Sequence, residues 1–257
     1  MVKEVLMEKM SWKDVQRAQS ENSVLAVVIG STEQHGPHLP LCTDVYIPLG
    51  IAERVASRIN LIIAPPITYG YYSQVRSGGG GENFPGTTSL RSATLVGFLT
   101  DIFNALTRHG FKRFLILSGH YENSQLIGEG LQQAIESHAT EVRALLVNYW
   151  ELIPSRIINE VYGEDFPGWE IEHAGLAETS MMMALRPELV RAELIRDDTS
   201  ARRLEYDIIP PPSNTIPKNG VPWKASLATK GKGELMLREI VDRLVEAVNK
   251  DLNTGPS

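Results

Sequence analysis

The stretch Val24-Leu25-Ala26-Val27-Val28-Ile29-Gly30, followed by Ser31-Thr32-Glu33-Gln34-His35-Gly36-Pro37-His38 and then Asp44, decides the fold. An unbroken apolar run of this length, stopped by glycine, reads as a strand buried on both faces, as in a parallel sheet covered by helices. Three more short apolar runs repeat it: Leu61 to Ala64, ended by Pro65-Pro66, then Phe114 to Leu117 and Ala144 to Val147. Between and after them lie stretches of helical periodicity: Ile47–Ile59, Ser89–His109, Glu122–His138, Gly175–Leu185 and Glu234–Leu252. Ser89 suits an N-cap, and Gly110 suits the position just past a helix end. Alternating strands and helices predict an α/β protein, a mostly parallel sheet flanked by helices as an α/β/α sandwich. No linker or repeat divides the chain, so residues 1–257 are expected to form a single domain, with the Pro-rich stretch 208–222 hugging its surface.

The chain has 257 residues, of which 42% are hydrophobic and 22% charged, an ordinary globular balance that excludes a disordered or fibrous chain. The net charge is -6 and no Lys/Arg cluster stands out, which argues against nucleic acid and anionic membranes as partners. The run from Val24 to Ile29 is too short to span a bilayer. Met1 to Arg17 carries charges throughout and lacks the apolar segment of a signal peptide. A lone cysteine, Cys42, excludes an internal disulfide framework and suits a reducing compartment. A cytoplasmic protein is expected.

In open α/β sheets, sites form beyond the carboxyl ends of strands. The first strand leads into Glu33 and His35, the third into His120 and Glu122. Residues i and i+2 of an extended backbone project to the same side, so each pair can aim a carboxylate and an imidazole at one point. Asp44 adds a carboxylate with two oxygens able to bridge. Borderline divalent metals accept His nitrogen with carboxylate oxygen. Glu33, His35, Asp44, His120 and Glu122 are too many for one open site and suit two ions sharing a carboxylate. The charges balance: two divalent ions, three carboxylates and a bridging hydroxide sum to zero. Such a pair generates hydroxide near neutral pH and polarises a carbonyl.

Other features separate from this cluster. His38 has no symmetric partner and reads as structural, Cys42 as filler, and Met181-Met182-Met183 as helix core. Gly78-Gly79-Gly80-Gly81 is not followed by Gly-Lys-Ser/Thr and is not a phosphate loop. It is expected beside the site, with Ser77 at its edge placed to contact substrate. The irregular stretches 70–88 and 162–175 have the length of functional loops. Trp169 lies in a Gly/Pro-flanked loop and suits a lid that excludes water and stacks on a planar ligand, while Trp150 follows the fourth strand. His173, with Glu172 and Glu178 as neighbours able to orient it, is placed to handle a proton.

Glu33-x-His35-Gly36, Asp44, Ser77-Gly78-Gly79-Gly80, Phe84-Pro85-Gly86-Thr87-Thr88-Ser89, Gly119-His120-Tyr121-Glu122-Asn123 and Gly168-Trp169-x-x-Glu172-His173 closely resemble the creatininase (creatinine amidohydrolase) family, from Trp12 to the final helix. The resemblance implies a binuclear enzyme holding two divalent ions, Zn and/or Mn, usually as a homohexamer. It implies that Glu33, Asp44 and His120 hold one ion and His35, Asp44 and Glu122 the other, with Glu122 also holding the water that delivers a proton. It further implies that Ser77, Tyr121, Trp169, Glu170 and His173 line the substrate pocket and that Trp150 closes over it. The chain departs from the family at Glu170, where the family has Asp, at Pro37, and in an extra glycine before Glu82-Asn83. The expected reaction is opening of a small cyclic amide, creatinine to creatine and the reverse, with Glu122 and His173 as catalytic residues. The alternatives are a sibling hydrolase acting on a keto-inositol ring or a formamide, and a metal- or sugar-binding protein without turnover.

Overall fold

The computed structural model describes residues 4–78, 80–136, 142–198, 201–202 and 204–252. In chain order the elements are α1 (Trp12–Ser20), β1 (Val24–Ile29), α2 (Thr43–Ala56), β2 (Leu61–Ile63), a single turn α3 (Val75–Gly78), α4 (Ser92–Arg108), β3 (Arg113–Ser118), α5 (Ser124–Glu136), β4 (Arg143–Asn148), α6 (Ser155–Tyr162), α7 (Leu176–Leu185) and α8 (Lys230–Ala247). Among the described residues the sheet has four strands, all parallel, in the order β2-β1-β3-β4. The central pair is in register from Leu25 against Phe114 to Ile29 against Ser118, so both strands end at the same level.

The period-two geometry of strands splits the apolar residues between two cores. Val24, Ala26 and Val28 of β1 and Leu115 and Leu117 of β3 pack against α2, α6, α7 and α8. Leu25, Val27, Ile29, Phe114 and Ile116 pack on the other face against Leu95, Leu99 and Phe103 of α4 and Ile127 and Leu131 of α5. Every residue of β1 is buried, as its unbroken apolar run requires. The result is the three-layer α/β/α arrangement expected. No helix is long and apolar enough to cross a membrane among the described residues.

Element boundaries differ from the sequence reading in instructive ways. The helix expected from Ile47 begins at Thr43 and contains Pro48, so its first turn carries the buried Asp44. Proline has no N–H to give the carbonyl four residues back, here that of Asp44, which faces the strand exits instead. The helix expected from Ser89 begins at Ser92. Its N-cap is Arg91 without a side-chain cap, while Ser89 hydrogen-bonds Glu82. Gly110 follows this helix at φ +93°, a conformation that favours glycine. The helix expected from Glu122 begins at Ser124, because residues 121–123 form a tight 3-10 turn at the β3 exit. Its expected end at His138 lies outside the described residues, as does Gly79. The last helix begins earlier than expected, at Lys230, with Thr229 accepting from the Lys232 amide as N-cap. The Pro-rich stretch closes over the structure, burying Val221 and donating no strand.

Candidate active site

The β1 and β3 exits meet the first turn of α2 because glycine stands at both. A Cβ on Gly119 would lie 1.8 Å from the Asp44 carbonyl oxygen, and one on Gly30 would lie 2.5 Å from it. No side chain fits at either position, and their absence lets Asp44 sit between the two exits. His120 Nδ1 lies 2.9 Å from Glu33 Oε1 and 3.1 Å from Asp44 Oδ2. His35 Nε2 lies 2.9 Å from Asp44 Oδ1 and 3.7 Å from Glu178 Oε2, the latter on α7. The other ring nitrogen of His35 donates to the Glu33 carbonyl, 3.1 Å away. His35 therefore turns Nε2 toward the carboxylates.

Three groups of donor atoms come within 4.8 Å of one another: Glu33, Asp44 and His120; His35, Asp44 and Glu178; and Glu33, His35 and His173. Asp44 belongs to the first two. Glu122 approaches from the His120 side, with Oε2 3.3 Å from His120 Nε2, while Gln74 N and Ser77 Oγ donate to its Oε1. The donor that closes the His35–Asp44 group is thus Glu178, which the sequence reading had given only an orienting role. A lone Glu in the buried run Leu176-Ala177-Glu178-Thr179-Ser180-Met181 was the available signal, since buried carboxylates are rare without a partner.

Burial would suppress the charged imidazoles here. It is outweighed at His35 by Asp44 and Glu178, which hold its pKa at about 10, and at His120 by Glu33 and Glu122, which hold it well above its ordinary value. Asp44 is pushed up by burial and pulled further down by His35 and His120. Burial raises Glu178 to about 8 and Glu172 to about 7. The cluster is thus short of positive charge. Asp44 Oδ2 and Glu122 Oε2 are buried with no aligned hydrogen-bond donor, although an imidazole nitrogen lies within 3.3 Å of each. Carboxylate oxygens and imidazole nitrogens converging in one buried place are the donors that borderline divalent cations accept, so the donor set fits such ions.

A narrow cleft opens onto this cluster and is lined by Ser77, Tyr121, Trp150, Trp169, Glu170 and His173, among others. The six pocket residues expected from sequence therefore share one cavity. Tyr121 and Trp150 stack with centroids 6.1 Å apart and planes 24° apart. Trp150 is buried and packs edge-on against Tyr149. Trp169 is half-buried and packs edge-on against Phe166 and Tyr162. His173 packs against His35 with ring centroids 4.4 Å apart and planes tilted by 35°, and its Nε2 lies 2.8 Å from the Gln34 carbonyl oxygen. Gln34 meets this nitrogen twice, through its backbone carbonyl and, at 3.0 Å, through its side-chain Nε2, while Nδ1 faces Glu33 Oε1, 3.8 Å away. Burial lowers the His173 pKa to about 4, which keeps the ring neutral. Gln34, unremarked in the sequence reading, also donates to the Gly220 carbonyl and ties the Pro-rich excursion to the site.

His38 lies outside the cluster. It pairs with Thr179 Oγ1 at 2.9 Å, and burial lowers its pKa to about 4, as suits a structural residue. Cys42 is half-buried and 3.7 Å from Thr32 Oγ1. Met181 and Met182 are core, and Met181 also reaches the cleft wall.

The profile of the family described as "Creatininase: Creatinine amidohydrolase" matches residues 8–248. Creatinine amidohydrolase of Pseudomonas putida is 38% identical over 257 residues, covering 98% of each chain. 3-Dehydro-scyllo-inosose hydrolase of Thermotoga maritima is 23% identical, covering 98% of this chain and 85% of its own. A solved Mn creatininase superposes with a TM-score of 0.93 at 37% identity, over 98% of this chain and 100% of that one. A creatininase mutant complexed with creatine superposes with the same TM-score at 36% identity and the same coverage. With its parallel four-stranded sheet, its carboxylate and imidazole donors at the strand exits and these similarities along nearly its whole length, the chain belongs to the creatininase family of amidohydrolases.

Proposed function

We propose that this chain is a metal-dependent amidohydrolase that opens the ring of creatinine to give creatine, reversibly. The observation that carries the reading is the sharing of Asp44 between two buried three-donor groups at the carboxyl end of a parallel sheet. Glu33, Asp44 and His120 would hold one divalent ion, and His35, Asp44 and Glu178 a second, with Glu122 flanking the first. Bound there as Zn and/or Mn, such ions supply a water of lowered pKa and a Lewis acid for the amide carbonyl.

The chain's own residues supply the rest. Water adds to the ring carbonyl carbon, the ring C–N bond breaks, and the leaving nitrogen takes the proton that the water gives up. Glu122 is suited to carry that proton at Oε2: burial raises its pKa, and this oxygen has no other donor. His173, held neutral, offers a second proton-handling ring at the cleft. The flat surfaces of Tyr121, Trp150 and Trp169 suit a planar ring and exclude water, and the Glu170 carboxylate suits an amidine-like edge. By the same family relation, residues 1–257 are taken to act as one domain, in a cytoplasmic homo-oligomer, hexameric by resemblance.

The test is elemental analysis of the purified protein together with assays on creatinine, a panel of cyclic amides and a keto-inositol, with added Zn or Mn. Two ions per chain and turnover of creatinine are expected, both lost on chelation and restored by metal. At most one ion per chain under saturating metal contradicts the paired site. Turnover of the keto-inositol alone, the ring named for the Thermotoga relative, replaces the substrate but keeps the site.

A further inference from the structure

Asn123 closes the block Gly119-His120-Tyr121-Glu122-Asn123, yet it neither lines the cleft nor belongs to a donor group. It is fully buried. Its Nδ2 donates to the Gly30 carbonyl at 2.9 Å, and its Oδ1 accepts from the Tyr71 amide at 2.8 Å. The carbonyl of that same Tyr71 accepts from His120 Nε2 at 2.9 Å. One amide side chain thus ties the β1 exit to the loop whose backbone meets the His120 ring. Gly70 is shaped around this tie: a Cβ there would lie 2.9 Å from both terminal atoms of Asn123 and 2.7 Å from the Gly30 carbonyl oxygen. The loop continues to Ser73, which hydrogen-bonds Glu33.

We propose that Asn123 is a positioning residue for the metal centre, acting through the backbone of Tyr71, whose amide it holds and whose carbonyl meets His120, to set the orientation and proton placement of His120. A carbonyl only accepts, so the Tyr71 oxygen keeps the proton on His120 Nε2 and leaves Nδ1 to face Glu33 and Asp44. The outer nitrogen of a metal-bound histidine commonly donates to such an acceptor, which fixes the ring. Without Asn123 the Tyr71 amide is left unpaired, the peptide before Tyr71 keeps only the Gly70 carbonyl's bond to the Leu90 amide at 2.8 Å, and rotation about the Tyr71 φ and ψ can swing its carbonyl, in the next peptide, away from His120. Glu122 Oε2, 3.3 Å from the same ring nitrogen, is then the competing acceptor, and it would draw the ring out of line. This inference rests on the reading of His120 as a metal donor.

The experiment is zinc titration of the metal-free protein against a chromophoric chelator, paired with thermal unfolding of the metal-free form. Asn123→Ala is expected to weaken one zinc site by about 10–100-fold, the usual effect of losing an outer hydrogen-bond partner. Asn123→Asp keeps the acceptor for the Tyr71 amide and loses the donor to Gly30. It is expected to lower stability while holding zinc affinity near that of the unmodified protein. Gly70→Ala crowds the same amide and is expected to weaken the same site, with little added effect in combination with Asn123→Ala. It carries the test if Asn123→Ala does not fold. Unchanged zinc affinity in Asn123→Ala or Gly70→Ala overturns the proposal, as does equal loss in the Ala and Asp variants. His120→Ala is the control: if both ions remain bound with unchanged affinity, the metal reading itself fails, whatever Asn123 does.

Discussion

The two faces of the sheet are built on opposite principles. On the α4/α5 side the buried cluster runs from Leu25, Phe114 and Ile116 in the strands to Leu95, Leu99 and Phe103 in α4. On the α2/α7 side an equally apolar layer gives way, at the carboxyl ends of the strands, to buried Glu33, His35, Asp44, His120, Glu172, His173 and Glu178. Burying a carboxylate is costly unless it is paired or bound to a cation, whereas burying a Leu or Phe side chain is worth about 1.5–3 kcal/mol. One face therefore stabilises the fold, and the other holds chemistry that the first must support. The glycines at the strand exits belong to the second face. Gly30 and Gly119 gain nothing from burial and serve the close approach of Asp44.

If that contrast holds, substitutions on the two faces should separate activity from stability. Asp44→Ala should have the largest effect, because it takes a donor from both groups. We expect loss of both ions and a fall in turnover well beyond the ~10–100-fold typical of outer-partner changes, with a fold no less stable in the metal-free form. Metal analysis, creatinine turnover and thermal unfolding check it together, and retention of both ions would undo the shared-donor arrangement.

His173→Asn comes next. The amide keeps a hydrogen bond but cannot titrate, so both ions should stay while the rate falls about 10²–10⁴-fold, the range for general acid–base help. A near-normal rate would remove His173 from the reaction, and loss of one ion would make it a donor in the Glu33–His35 group.

Phe103→Ala probes the opposite face. Phe103 is buried and edge-on to Phe114 at 6.1 Å. Its truncation should cost about 3–5 kcal/mol of stability by chemical denaturation and leave metal content unchanged. Lost metal in a still-folded variant would show that the two faces are coupled.

Glu172→Gln should give the smallest effect, and one that depends on pH. Burial raises the Glu172 pKa to about 7, above its unfolded value near 4.5. A carboxyl raised in this way contributes its stability below about pH 4.5 and loses it as pH rises through 7. Glutamine can still accept from the Ala177 amide, which now bonds Glu172 Oε1 at 2.7 Å. The variant should match the unmodified protein near pH 5 and exceed it above pH 8 by a few kcal/mol at most. An equal change at both pH values would mean that Glu172 keeps one protonation state throughout.

How the chain reads as sequence also divides along this line. The strands were legible because a parallel strand covered by helices is a short apolar run, and three of the four are closed by a nearby glycine or proline; β4, half-buried along its length, runs straight into Tyr149-Trp150. Glu33, His35, His120 and Glu122 were legible because they follow two such runs within a few residues. The start of α2 was not, since its first turn is Cys42-Thr43-Asp44 with no apolar periodicity, and Pro48 inside it argued against a helix. Ser89 looked like a cap on local chemistry, but its hydroxyl was taken by Glu82, seven residues back in a loop.

The sequence by itself determined the elements, the layering and the placing of Glu33, His35, His120 and Glu122 just past two strands, because hydrophobic periodicity and glycine placement are local properties. Only the tertiary structure decided which donor atoms meet. Glu178 joins His35 and Asp44 across 143 and 134 residues of chain, the differences between their positions. Gln34 reaches His173 across 139. Asn123 reaches Gly30 across 93 and Tyr71 across 52. Those meetings depend on the packing of α7 and the 70–73 loop onto the strand exits, and no pattern within a stretch of chain encodes a distance to another stretch.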